Sequence, residues 1–333
     1  MNLLGNKYVL CCDWGTSSFR IFLVEYNSKK ILGSIQNEEG ISKVAQRFDA
    51  QAGRRDRLMF YCNTLQQHIV ELQQKTNVAL LGVPLVISGM ASSPLGIMEL
   101  PYTSLPFPLI GCKANVRRID KDQNFMHDIY LISGVKSPND VMRGEEVQLI
   151  GLAELMANQN LSSAIVILPG THSKHVKIID GVMVDFSTYI TGEVFATLVN
   201  HSLLKEAVSS PNEITQGDWG VFEDGVNASV DTNILQELFT VRTNILFKFL
   251  SKEQNYIYLS GLLIGAELRE LINSGKENIV LCCGKKLFDF YQFAINMLYK
   301  GETSVTYIPP SKMDEITING QIAVYQSYKQ YAN

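Results

Sequence analysis

No part of this 333-residue sequence holds the roughly 18 consecutive apolar residues that a membrane-spanning helix requires, which argues against a membrane partner. The first apolar run is short and ends at Asp13, so it is not read as a secretion signal. No basic run or base-stacking aromatic motif appears, and the net charge is -4, which argues against a nucleic-acid partner. None of the six cysteines forms a Cys-x-x-Cys pair. Cys11-Cys12 and Cys282-Cys283 sit as adjacent pairs in apolar runs, so with Cys62 and Cys112 they read as small buried hydrophobes. That usage implies a reducing compartment, most simply the cytoplasm.

What is present is an ordinary globular composition, 46% hydrophobic and 19% charged, in a chain long enough for two domains. Residues 164–192 read as three consecutive antiparallel strands: an apolar run, a turn at Pro169-Gly170-Thr171-His172-Ser173-Lys174, a second run, an Asp180-Gly181 turn and a third run. The chain opens the same way, with Tyr8 to Cys12 leading into Asp13-Trp14-Gly15-Thr16-Ser17-Ser18, then Ile21 to Tyr26 and Ile31 to Ile35. Laying Gly15-Thr16-Ser17 on Gly170-Thr171-His172 aligns strand with strand and turn with turn, the sign of a duplicated fold.

Each turn is a candidate phosphate nest. Gly15 frees the backbone to curl, the Thr16 and Ser17 amides and hydroxyls point into one concavity, and Asp13 beside them can hold a hydrated magnesium ion. His172 and His175 are not read as a metal pair, because residues three apart on a strand point to opposite faces. Lys174 is either a phosphate contact or a solvated strand residue.

Between and after the hairpins, the spacing predicts a helix over 54–76, a buried strand at Val83 to Ser88 and a ligand-side loop beginning Gly89-Met90. A proline-rich excursion follows over 95–138, then a strand at Ile129 to Ser133. A helix is expected over 145–157 with Glu145 and Glu146 in its first turn, where the helix dipole favours acids. Residues 158–163 are the expected domain boundary and hinge. Beyond it come a helix from Gly192 to Leu204, a turn-rich acidic loop over 209–225, and helices over 234–250 and 256–272. A strand ending at Cys282-Cys283-Gly284, a helix over 285–299, a strand at Val305 to Ile308 and a terminal helix over 319–331 complete the chain. Gly151 and Ala153, with Gly320 and Ala323, would let two of these helices cross closely. The domains are then residues 1–160 plus 318–333, and residues 161–317.

The motifs Asp13-Trp-Gly-Thr-Ser-Ser-Phe-Arg20, Val141-Met-Arg-Gly-Glu-Glu-Val-Gln-Leu-Ile-Gly151, Leu168-Pro-Gly-Thr-His-Ser-Lys174, Ile190-Thr-Gly-Glu193, Asn200-His-Ser-Leu203 and Leu259-Ser-Gly-Leu-Leu-Ile-Gly-Ala-Glu267 resemble those of the 2-dehydro-3-deoxygalactonokinase family. That family lies in the superfamily of sugar kinases, hexokinase, heat-shock ATPases and actin. The resemblance implies an α/β fold of two ribonuclease-H-like domains flanking a nucleotide cleft. It also implies ATP-dependent phosphorylation, with magnesium, of the terminal hydroxyl of 2-dehydro-3-deoxy-D-galactonate.

Carried over residue by residue, Asp13, Gly15, Thr16 and Ser17 resemble the first phosphate hairpin, Gly170, Thr171, His172 and Ser173 the second, and Gly284 the adenosine-binding turn. Glu145 occupies the place of the catalytic acid, while Glu146, about 100° further round the helix, should point elsewhere. Arg20 or Arg143 is expected to pair with the substrate carboxylate, and Gly89 and Met90 to line the substrate. The alternatives are a kinase for another sugar acid such as 2-dehydro-3-deoxy-gluconate, or a non-catalytic actin-like or sugar-sensing nucleotide binder. The expected partners are ATP and a sugar acid, with a homodimer as the candidate assembly.

Overall fold

The computed structural model describes residues 7–50, 56–110, 114–156, 163–274, 277–299 and 304–331. Cys112, the start of the helix expected from residue 54, and the boundary segment 158–162 lie outside these. The chain groups into two units, one of Met1–Ser162, Asp180–Asp185 and Asp314–Asn333, the other of Ser163–Ile179 and Phe186–Met313. Among the described residues no helix is long and apolar enough to cross a membrane.

In the first unit, β1 (Tyr8–Trp14), β2 (Phe19–Glu25) and β3 (Lys30–Asn37) form the expected meander, followed by α1 (Ile41–Asp49) and α2 (Arg57–Thr76). Then come β4 (Leu85–Gly89), β5 (Val116–Ile119), β6 (Ile129–Ile132) and α3 (Glu145–Leu155). The sheet order is β3-β2-β1-β4-β6-β5. β1, β2 and β3 pair antiparallel, whereas β1, β4 and β6 run parallel. Parallel strands buried on both faces read as unbroken apolar runs, and β4 and β6 are buried at every residue. The core gathers on the α2 side, where Trp14 meets Phe19 and Tyr61 edge-on.

The second sheet begins with β7 (Ser163–Leu168), β8 (Ser173–Ile179) and β9 (Val182–Tyr189), the start of β9 grouping with the first unit, and α4 (Thr191–His201) follows. Asp180 and Gly181 both have positive φ (51° and 73°), the turn that suits the twist of a two-residue hairpin. Next come α5 (Gln216–Asp231), α6 (Ile234–Leu246), α7 (Lys252–Ser274), β10 (Ile279–Cys282), α8 (Lys285–Leu298) and β11 (Val305–Ile308). Taken from the other edge, the order β9-β8-β7-β10-β11 matches β3-β2-β1-β4-β6 of the first sheet, with β7, β10 and β11 parallel and the short strand Phe107–Pro108 added beside β9. The duplication read from two hairpins therefore extends to sheet topology, and the fold is the expected pair of ribonuclease-H-like α/β units. α9 (Met313–Tyr331) ends the chain in the first unit.

Three elements differ from expectation. α1 follows β3 directly, and β5 adds an edge strand within the proline-rich excursion. The region expected as an acidic loop contains α5, started by a capping box in which Thr215 and Asp218 satisfy each other's backbone amides. Within it, Gly225 is a packing residue rather than a turn residue. A Cβ on Gly225 would lie 2.3 Å from the Tyr258 carbonyl oxygen, and one on Gly261 would lie 2.2 Å from that of Phe222, so α5 and α7 cross backbone to backbone. The crossing expected from Gly151 and Gly320 is of the same kind. A Cβ there would lie 1.8 Å from the Ile316 oxygen and 1.9 Å from the Val147 oxygen, respectively. Cys11, Cys12, Cys62, Cys282 and Cys283 are free and buried, as expected.

Candidate active site

Two strand-turn-strand hairpins carry most of the predicted residues, one in each unit. In the first, Thr16, Ser17 and Ser18 are exposed at the tip. The carbonyl oxygens of Gly15 and Thr16 accept the Ile41 and Ser42 amides at the start of α1, at 2.9 and 3.1 Å. Gly40 permits this approach, since its Cβ would stand 2.3 Å from the Thr16 oxygen. In the second, Thr171 and His172 are exposed, and the Thr171 oxygen accepts the Glu193 amide at 3.0 Å in the first turn of α4. Gly192 plays the part of Gly40, its Cβ falling 2.5 Å from the Gly170 oxygen. In both hairpins a helix N-terminus thus ties down carbonyls, and the polar tip is left to solvent or ligand.

Gly15 and Gly170 do not supply left-handed turns, contrary to the expected role of Gly15. Positive φ occurs instead at Gly89 (88°) and Gly144 (110°). These two glycines assemble the centre of the first unit. The parallel register sets Asp13 beside Ser88 and Trp14 beside Gly89. A Cβ on Gly89 would lie 2.7 Å from the Trp14 oxygen and 3.3 Å from Asp13 Oδ1, and one on Gly144 would lie 3.2 Å from the Gly89 Cα. The end of β1, the end of β4 and the start of α3 therefore converge, and only glycine fits both the space and the dihedrals.

Glu145 opens α3 half-buried, its Oε2 accepting the Arg143 amide at 3.0 Å. Glu146 points inward, as the helical offset predicts. It is fully buried, Oε2 accepts the Gly144 amide at 2.7 Å, and Oε1 has no hydrogen-bond partner. Burial, reinforced by the neighbouring Glu145 charge, pushes the Glu146 carboxyl up to about 8, so it holds its proton at neutral pH. Of the two acids, Glu145 is the one with solvent access.

The two candidate arginines have other partners. Arg143 donates to the Ser92 carbonyl oxygen and hydroxyl at 2.5 and 2.6 Å, and its guanidinium lies 4.2 Å from the Tyr102 ring centre, pinning the loop that begins at Gly89 and half-buried Met90. Arg20 bridges Asp13 and Asp314 with 26% of its side chain exposed, and so is the more reachable of the two. Gln321 on α9, fully buried, donates to the Cys12 carbonyl oxygen and Ser88 hydroxyl at 2.7 and 2.8 Å, bracing the same strand ends.

In the second unit, Ser173 is fully buried and its hydroxyl donates to Glu267 at 2.6 Å, so this side chain serves the interior rather than the hairpin tip. Glu267, 3% exposed, also accepts from His175 Nε2 at 3.0 Å, Thr191 Oγ1 at 2.5 Å and the Tyr291 hydroxyl at 2.7 Å. Burial alone would raise this carboxyl, but the hydrogen bonds from His175, Ser173 and Thr191 outweigh it and hold the group below its ordinary value. Sequence reasoning assigned Glu267 no role. The signal available was a single acid at the end of an otherwise apolar stretch of α7. Lys174 is buried with Nζ 3.3 Å from the His172 oxygen, and His172 pairs with Glu193 at 2.5 Å. Gly284 stands exposed between buried Cys283 and the start of α8, with open space where a Cβ would be.

The profile of the 2-keto-3-deoxy-galactonokinase family matches residues 13–322, from the carboxylate at the first hairpin to the helix that braces it. A probable 2-dehydro-3-deoxygalactonokinase of Rhizobium meliloti (strain 1021) is 31% identical over 83% of this chain and 85% of its own. The 2-dehydro-3-deoxygalactonokinase of Escherichia coli (strain K12) is 29% identical over 89% and 92%. A crystal structure from Sinorhizobium meliloti, of a candidate 2-dehydro-3-deoxygalactonokinase, covers 96% of this chain and 99% of its own at a TM-score of 0.77 and 27% identity. With the family profile running through both hairpins and the start of α3, the chain belongs to the 2-keto-3-deoxy-galactonokinase family and is a kinase.

Proposed function

We propose that the protein transfers the γ-phosphoryl group of ATP to the terminal hydroxyl of 2-dehydro-3-deoxy-D-galactonate in galactonate catabolism. The observation that carries the residue assignment is the convergence of Asp13, Gly89 and the Gly144-Glu145 helix start in the first unit. The exposed tips at Thr16-Ser17 and at Gly170-Thr171-His172 serve the nucleotide phosphates, with Lys174 beside the second. The Gly284 turn, at the amide end of α8, serves the adenosine side.

In the transfer the substrate oxygen bonds to the γ-phosphorus, the bond from that phosphorus to the bridging oxygen breaks, and ADP leaves. The hydroxyl proton passes to the Glu145 carboxylate. Arg20 faces the substrate carboxylate by exchanging a partner, while Arg143 holds the Gly89-Met90 loop in shape.

Among the described residues no cluster of three or more His, Cys, Asp or Glu side chains is placed to hold a metal. Asp13, one carboxylate already held by Arg20, fits a magnesium ion bound mainly by phosphates and water. Magnesium would neutralise phosphate charge. The test is ADP release across a panel of sugar acids. The galactonate derivative should give the highest kcat/KM, and preference for 2-dehydro-3-deoxy-gluconate would reassign the substrate.

A further inference from the structure

The second unit carries an apolar surface that the phosphoryl transfer does not use. Of the exposed residues between 233 and 250, five are large and apolar: Leu235 (76% exposed), Phe239 (59%), Leu246 (56%), Phe247 (63%) and Phe249 (71%). The others are Asn233, Gln236 and Lys248, so the exposed set contains no carboxylate. The helix is not loosely docked. Its inner face buries Val241 completely, and Asn244 donates to Asn255, which donates in turn to the Val241 and Ala207 carbonyls. The chain leaves α6 through Lys248 at a φ of 60°, with the Phe249 amide returned to the Asn244 oxygen at 2.9 Å. That turn holds Phe247 and Phe249 side by side on the surface, ring centres 5.7 Å apart. Exposed Ile190 borders the same groove of ≈ 420 Å³ as Leu235 and Leu238.

Leu235, Phe239, Arg242 and Leu246 lie within about 60° of one another around the helix, forming one strip. Their spacing is symmetric about its midpoint. Two antiparallel copies of α6 related by a twofold axis would set Leu235 opposite the partner's Leu246, and Phe239 opposite the partner's Arg242. The first pair is apolar on apolar, and the second is a guanidinium over an aromatic face. The exposed apolar area of the strip with Phe247, Phe249 and Ile190 is on the order of 500 Å², near the top of what monomers show, and it would form the apolar core of an interface of about 800 Å² per partner. Charge depletion at such a core is the mark of a protein interface. We propose that α6 is the interface of a homodimer, with two copies packed antiparallel about a twofold axis.

Sedimentation velocity of the full chain over a wide concentration range, with a second copy doubling its 37.3 kDa, tests this. Leu235→Glu with Leu246→Glu sets like charges opposite each other and should weaken association about 100-fold or more. Leu235→Glu with Leu246→Lys sets opposite charges together and should retain the dimer. Thermal unfolding checks that both variants fold. A wild type that stays monomeric at every concentration, whether or not it floats with anionic vesicles, overturns the proposal. So does a Glu/Glu variant as dimeric as the wild type. A Glu/Lys variant as monomeric as the Glu/Glu variant overturns the antiparallel pairing.

Discussion

At the start of α3 the backbone leaves Glu145 half in solvent and takes Glu146 fully inside, where one carboxyl oxygen has no partner. A carboxyl whose folded value is about 8 and whose ordinary value is 4.5 binds its proton more tightly folded than unfolded. The stability it contributes is therefore fully present below pH 4.5 and is lost as pH rises through 8. Between those limits the slope approaches about 1.4 kcal/mol per pH unit. Glu146→Gln mimics the protonated acid, so urea unfolding should show the variant gaining several kcal/mol on the wild type across this window, with little change in kcat. Parallel pH profiles for the two proteins would mean that Glu146 ionises inside the fold.

Glu267 supplies the second prediction at this scale. Glu267→Gln can satisfy Ser173 and His175 through its carbonyl and Thr191 and Tyr291 through its amide, if those two hydroxyls turn to accept. ATP KM should then stay within about threefold. Glu267→Ala leaves four donors without their acceptor, at about 1–3 kcal/mol for each that is buried. It should lower stability and raise ATP KM by about tenfold or more while leaving KM for the sugar acid nearly unchanged. Equal ATP KM values for both variants would remove Glu267 from the support of the hairpin.

At the scale of elements, the hairpins depend on glycines that lie outside the turns, Gly40 and Gly192. Gly192→Ala would drive a Cβ into the Gly170 oxygen and within 2.8 Å of the Thr171 Cα, so the second hairpin must move. Gly170→Ala meets nothing within 4 Å in the free protein. ATP affinity measured by calorimetry should fall about tenfold for Gly192→Ala, accompanied by a lower Tm, whereas Gly170→Ala should leave Tm unchanged and act only through space that the ligand needs. An unchanged affinity in Gly192→Ala would show that α4 does not set the hairpin. The hairpins were legible in the sequence because strand, turn and strand are local and alternate in hydrophobicity. α5 was not, because Gly217, Gly220 and Gly225 carry the composition of a turn, and the reason for Gly225 lies on α7, more than 30 residues away. The same distance hid Glu267 and Gln321, whose roles exist only once separate strands and helices meet.

For the whole molecule, repeated sheet order and repeated tethering of a hairpin by the following helix give each unit one polar tip of the same construction. In the first unit Glu145 opens a helix where the ends of β1 and β4 converge, and this supports the proposal that it takes the proton, whereas Glu193, in the first turn of α4, is paired with His172. The family motifs made the class of reaction legible from sequence. The partners of Arg20 and Arg143 were not, since Arg20 reaches Asp314 on α9, 294 residues away, and Arg143 reaches the loop that follows Gly89. The most direct measurement is the rate of ADP release with 2-dehydro-3-deoxy-D-galactonate, for the wild type and for Glu145→Gln, with substrate affinity measured on both. The account predicts that kcat falls by about two to four orders of magnitude in Glu145→Gln while binding is largely kept. A Glu145→Gln enzyme that turns over at near the wild-type rate would contradict it.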